Sequence, residues 1–281
     1  MRPPLDPPPG RSPMPPPSRT NRRPAPEPAP ASSSSRPRLP DGYWSASRGA
    51  SAALLIVLPL LAGYEGGLAS LGGDPALRTG VDSWIQQAIP PQWGLPAWAP
   101  SLTIALALVC WRVAEPGRFR PRWLPVAAVE STLLGAGLLG LYLLFDRWLA
   151  GLGGLVYLRA DSWPSGLPID PSRAIGLVGA GIFEEAAFRL GLLGLLYAAL
   201  RVLHVPNALA TAMAASGSAL AFSLAHHVHE PPGDFAPSVF LFRWLAGVYF
   251  AWVFILRGFG IAVGTHVAYD LLVAAYPWPD R

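Results

Sequence analysis

Residues Gly181–Leu200, GIFEEAAFRLGLLGLLYAAL, read as the middle of a membrane helix that nevertheless holds Glu184, Glu185 and Arg189. A charge at the centre of a bilayer helix costs about 2.5–3.5 kcal/mol on insertion scales. Glu185 and Arg189 are four apart, share a helix face and can pair. Glu184 is turned from Glu185 by about 100° and is left out of that pair. On its side lie Ala180, Gly181, Ala187, Phe188 and Gly191, mostly small residues that let a neighbouring helix or a substrate come close. A buried ion pair that fixes helix packing accounts for Glu185 and Arg189. Glu184 reads as functional, because ionisable groups inside a membrane are so by default.

The rest of the chain supports a membrane reading. Of its 281 residues 52% are hydrophobic and only 14% charged, against about a quarter charged in soluble proteins. The apolar residues fall in seven blocks: about Ala50–Gly63 with an extension toward Leu71, Ala97–Val113, Leu124–Phe145, Ala174–Leu203, Ala208–Val228, Val239–Leu256 and Ile261–Tyr276. The expected fold is all-α, a polytopic transmembrane bundle of about seven or eight spans. An eighth crossing could lie in Gly72–Ile89 or Gly151–Leu167. The fourth block is thirty residues long, beyond the roughly 20 needed to cross, so it must tilt, break or project. The loop before Pro90 also suggests a short amphipathic helix near Val81–Ala88.

Residues 1–42 are rich in Pro, Arg and Ser and have no apolar periodicity, so they read as a disordered cytoplasmic tail with no signal-peptide core. Residues 43–170 then hold N-terminal spans and loops, and 171–281 the region with the polar motifs. All 21 basic residues are Arg. Eight precede the first span and four lie in WRVAEPGRFRPRW, Trp111–Trp123, a distribution that places the N-terminus in the cytoplasm. Arginine clustered this way follows topology, and no nucleic-acid partner is inferred. The partners implied are the lipid bilayer and a membrane-associated protein or peptide. The single cysteine, Cys110, sits in an apolar block and excludes intramolecular disulfides and Cys-based zinc sites.

Two further blocks carry polar groups. In ALAFSLAHHVHE, Ala219–Glu230, Phe222 and His226 are four apart on one face, and His226 is the deepest of three histidines; His227 and His229 read as surface or supporting residues. In GIAVGTHVAYDLLVAAY, Gly260–Tyr276, His266 and Asp270 are again four apart. A carboxylate beside an imidazole orients its tautomer and raises its basicity. A base, two imidazoles and an orienting carboxylate suffice to activate water and steady an oxyanion. The same Glu and His atoms can also bind Zn²⁺ with an open position.

The pattern E-E-x-x-x-R, then F-x-x-x-H, then H-x-x-x-D resembles that of the CPBP intramembrane proteases, which include the CAAX prenyl endopeptidases and bacterial Abi or bacteriocin-immunity-type proteins. Here it stands as EEAAFR at Glu184–Arg189, FSLAH at Phe222–His226 and HVAYD at His266–Asp270. Many members of that family have Asn where Asp270 stands, which adds a negative charge here and would favour a metal, and many have Gly where Leu190 stands. The resemblance implies an all-helical membrane bundle that hydrolyses peptide bonds with a glutamate-activated water, and the lysine-free composition, rich in Ala, Pro and Gly, points to a GC-rich bacterial genome and so to a bacterial plasma membrane. The resemblance also implies Glu184 as base and His226 and His266 as groups that hold water or zinc and stabilise the oxyanion. Asp270 would complete the catalytic set, and Glu185, Arg189 and Phe222 would support it. Any metal would sit on His226 and His266 with Glu184. Two other readings stay open: a proton-coupled transporter using the buried carboxylates, and a non-catalytic scaffold or immunity protein using them as helix glue. Simple alternation of spans puts His226, late in the fifth, and His266, early in the seventh, at different depths. The motif needs them together.

Overall fold

The computed structural model describes residues 10, 42–78, 80–151, 170–227 and 235–276. The chain divides into Met1–Arg38 and Leu39–Arg281, and every element below belongs to the second unit. The tail reading of residues 1–42, the reading of His229 and the crossing considered over Gly151–Leu167 lie outside the described residues, apart from Gly10, Gly42 and Gly151.

Among the described residues there are helices and no strands. They run α1 Tyr43–Ala46, α2 Ala50–Ser70, α3 Gly80–Ala88, α4 Ala99–Ala114, α5 Leu124–Gly151, α6 Pro171–Glu185, α7 Gly194–Val202, α8 Asn207–Ala225, α9 Pro237–Arg257 and α10 Phe259–Ala275. A π-helical segment, Ala186–Leu193, joins α6 to α7 without a break. The long fourth block is therefore one rod of three helical pieces. Asp170 caps its start by accepting from the Arg173 N–H at 2.8 Å. The Ser172 hydroxyl and that N–H hold the Asp170 carboxyl below its usual range.

All seven apolar blocks are helical. By length and composition α2, α8, α9 and α5 with its preceding turn are able to cross a membrane. α4 and α10, with 16 and 17 residues, reach only about 24–26 Å at 1.5 Å per residue, short of a ~30 Å hydrocarbon core. Nine-residue α3 is amphipathic and shorter still, so among the described residues of Gly72–Ile89 no helix is long enough to cross.

The side-chain distribution is that of a membrane protein. Leu133, Leu144, Leu106, Val109, Leu195 and Leu220 are exposed on the helix exteriors, where lipid tails cover them. Glu184, Glu185, Arg189, His266 and Asp270 are buried. Packing between helices, rather than a hydrophobic drive, must then hold the bundle. α10 is central and packs on α2, α5, α6 and α9. Gly181 on α6 shows how close the approach is: a Cβ there would stand 2.6 Å from Val267 Cγ2 and 3.0 Å from its backbone nitrogen. At the other end of α10, Gly258 (φ +86°) makes the tight turn from α9.

Candidate active site

Three helices deliver the polar groups to one place. Glu184 and Glu185 end α6, His226 follows α8 immediately, and His266 and Asp270 are the eighth and twelfth residues of 17-residue α10. The Glu184 Oε2 atom is 3.7 Å from His226 Nε2 and 3.8 Å from His266 Nε2. Asp270 Oδ2 is 3.6 Å from the same His266 nitrogen. The depth conflict disappears because α8 stops at Ala225 and α10 starts at Phe259. His226 therefore sits at a helix end and His266 in mid-helix.

The hydrogen bonds fix the imidazoles. His226 Nδ1 donates to the Phe222 carbonyl at 2.8 Å; a carbonyl only accepts, so the lone pair of a neutral ring is on Nε2, facing Glu184. His266 Nδ1 lies 2.9 Å from Glu185 Oε1, which likewise turns Nε2 toward Glu184. The carboxylate that orients His266 is thus Glu185 and not its helix neighbour Asp270. The i, i+4 spacing brought Asp270 to the ring but to the Nε2 side, where it joins Glu184.

Glu185 does two things at once. Its Oε2 faces Arg189 Nε at 3.3 Å, the pair expected from the spacing, and its Oε1 holds His266. Both Glu185 and Arg189 are fully buried. Arg189 is further held by the Gly247 carbonyl at 3.2 Å from Nη2 and lies over the Phe222 and Phe250 rings, 4.8 and 5.5 Å from their centroids. A buried cation needs such compensation. The motif arginine lies in the π segment, a geometry often found at functional sites. Ser218 on α8 donates to the Phe188 carbonyl there at 2.6 Å, satisfying a backbone group at the irregular turn.

Phe222 is the hub of the aromatic shell. It contacts His226 at 4.7 Å, His266 at 5.9 Å and Phe188 at 5.5 Å between ring centroids. Phe250 of α9 stacks on His266 at 4.4 Å with 15° between the planes. No sequence pattern marked Phe250 or Gly80, and only the folded chain brings them to the site. His227 points away, stacked on Phe240 and 3.3 Å from an Arg243 nitrogen.

A cavity of about 490 Å³ opens onto these groups. Glu184, His226, His266 and Asp270 line it together with Phe222, Phe250 and Gly80. Donor types alone, two imidazoles and a carboxylate, suit Zn²⁺. However, among the described residues no group of three or more His, Cys, Asp or Glu side chains is gathered so that it could hold a metal ion.

Comparison with curated proteins and with solved structures returned no match. Residues 172–272 match the family model of the type II CAAX prenyl endopeptidase Rce1-like proteins. That segment contains all three motifs and every group of the polar cluster. Over residues 172–272, about a third of its length, this integral membrane chain is similar to the CPBP/CAAX proteases.

Proposed function

We propose that the chain is an intramembrane endopeptidase that hydrolyses a peptide bond with water activated by Glu184. The observation that carries this reading is the convergence of Glu184 Oε2 with two imidazole Nε2 atoms at 3.7 and 3.8 Å. Those gaps are too long for direct hydrogen bonds. Atoms so placed can share one water, which donates to the carboxylate and to an imidazole.

In the reaction, Glu184 takes a proton from water as the oxygen attacks the scissile carbonyl carbon. The new C–O bond leaves the charge on the carbonyl oxygen. His226, in its imidazolium form, would present an Nε2–H to that oxyanion. Glu184 then passes its proton to the amide nitrogen as the C–N bond breaks. Glu185 fixes the His266 ring through Nδ1, and Arg189 holds Glu185 in place. Phe222 and Phe250 exclude bulk water, which strengthens each of these electrostatic contacts. We place the N-terminus in the cytoplasm on the distribution of arginines along the chain, and the protein in a bacterial plasma membrane on its lysine-free composition, rich in Ala, Pro and Gly.

The test is cleavage by detergent-purified full-length protein of a peptide mixture that includes prenyl-cysteine and unmodified peptides, read by mass spectrometry. The expected result is a defined set of cuts, unchanged by a metal chelator. No cuts in either peptide class would contradict the reading, and cuts lost to chelator and restored by Zn²⁺ would add a metal to it. Asp270→Asn keeps the size of the side chain and one acceptor oxygen. It is expected to alter kcat by no more than about tenfold, the worth of one neutral hydrogen bond. A much larger loss would show that the negative charge of Asp270 is itself required.

A further inference from the structure

The family match begins at residue 172, yet the cavity wall at Glu184 is completed from the N-terminal part of the chain. Gly80, the first residue of α3, has φ +58° and lines the cavity. A Cβ at this position would stand 2.8 Å from Glu184 Oε1, 3.7 Å from its Cδ and 3.9 Å from Ala180 Cβ. The other Glu184 oxygen is the one facing the imidazoles. The carboxylate is one rigid plane, so anything that pushes Oε1 also displaces Oε2 relative to them.

A buried polar network holds Gly80 at that point. Arg78 pairs with Glu65 of α2 at 2.7 Å and with Asp82 of α3 at 2.7 Å. Burial alone would lower the Arg78 pKa, but its hydrogen bonds to Glu65 and Asp82 outweigh this and hold it above its usual value. Asp82 is fully buried and accepts from the Tyr64 hydroxyl at 2.6 Å. Ser101 of α4 donates to Glu65. Asp82 also lies in the first turn of α3, where the helix dipole favours a negative charge. The Tyr64 ring packs edge-on against Phe183, the neighbour of Glu184, with 5.9 Å between centroids. The network thus reaches Glu184 from two sides, through Gly80 and through Phe183.

We propose that Gly80, held by the Tyr64–Asp82–Arg78–Glu65 network, is a positioning residue that sets the Glu184 carboxylate against His226 and His266. This rests on the reading of Glu184 as the base. It gives the N-terminal helices a part in the site.

The experiment compares Gly80→Ala with Gly73→Ala in the full-length protein. Gly73 also has positive φ, +71°, but a Cβ there meets open space. Backbone strain is common to both variants, and the contact with Glu184 belongs to one. Two readouts are taken: kcat and KM on a peptide cut by the wild type, and the rate at which a carbodiimide labels Glu184, measured by mass spectrometry. Gly80→Ala is expected to lower kcat by up to about 10²-fold, as small misplacements of catalytic groups do, with little change in KM and a changed labelling rate. Gly73→Ala should match wild type on both. In a Glu184→Asp background the shorter side chain makes room, so adding Gly80→Ala should cost much less.

Equal behaviour of the two glycine variants, or the same loss in both backgrounds, would overturn the proposal. Labelling needs no substrate, so it decides the positioning claim even if no peptide is cut. If thermal unfolding shows that Gly80→Ala does not fold, Tyr64→Phe replaces it. That variant removes only the hydroxyl bond to Asp82 and is expected to change labelling and lower kcat. No change in either would refute the network's role.

Discussion

Arg189→Met is expected to destabilise the bundle by about 3–5 kcal/mol, the cost of leaving one member of a buried ion pair uncompensated. Arg189 and Glu185 are both fully buried. Removing the guanidinium leaves the Glu185 carboxylate with no cation within the site except a protonated His266. It also removes the cation that lies over the Phe222 and Phe250 rings. The measurement is the thermal unfolding midpoint in detergent. A double variant, Glu185→Gln with Arg189→Met, should recover most of the stability, because an apolar or neutral pair of similar size is often as stable as the ion pair. It should not recover cleavage, because His266 Nδ1 would lose the carboxylate that orients it. An Arg189→Met protein that unfolds at the wild-type temperature would show that the pair is not what braces the site.

Glu184→Gln is expected to lower kcat by between about 10² and 10⁴-fold, the range attributed to a positioned general base. The fold should survive. Glu184 Oε2 is buried and has no hydrogen-bond partner, so exchanging the carboxylate for a neutral amide of the same shape removes a buried charge without breaking a hydrogen bond at that oxygen. Stability should hold or rise while activity falls. The two effects point in opposite directions, as is common where strain and charge are stored for function. His226→Ala and His266→Ala should each reduce kcat, and combining either with Glu184→Gln should add little, because groups acting on one water are not additive.

Much of this was legible in the sequence. Seven apolar blocks became seven helical segments because period and length alone specify a bundle in lipid, where each backbone group must be satisfied within its own helix. The i, i+4 spacing gave the Glu185–Arg189 pair and put Phe222 beneath His226, since both relations are local to one helix. The relations between helices were less accessible. Spacing within α10 suggested that Asp270 orients His266, whereas the contact to Nδ1 comes from Glu185, 81 residues away. A period read along one helix says nothing about which face of the next helix meets it. Phe250 and Gly80 escaped for the same reason. The length of the fourth block required it to tilt, break or project; it runs on as one continuous rod, and its π segment carried no compositional mark. The apparent mismatch in depth between His226 and His266 came from helix ends misplaced by two or three residues, enough to shift a side chain by several ångströms at ~1.5 Å per residue.

The central claim is that Glu184 activates the water that cuts the peptide bond. Its most direct test is cleavage of one identified substrate peptide by wild type and by Glu184→Gln, side by side in water enriched in ¹⁸O, read by mass spectrometry. The account predicts one ¹⁸O atom in the new C-terminal carboxyl of the wild-type product, and no product from Glu184→Gln on the same time scale although its unfolding midpoint is at least that of wild type. Cleavage by Glu184→Gln at a rate near wild type would contradict it.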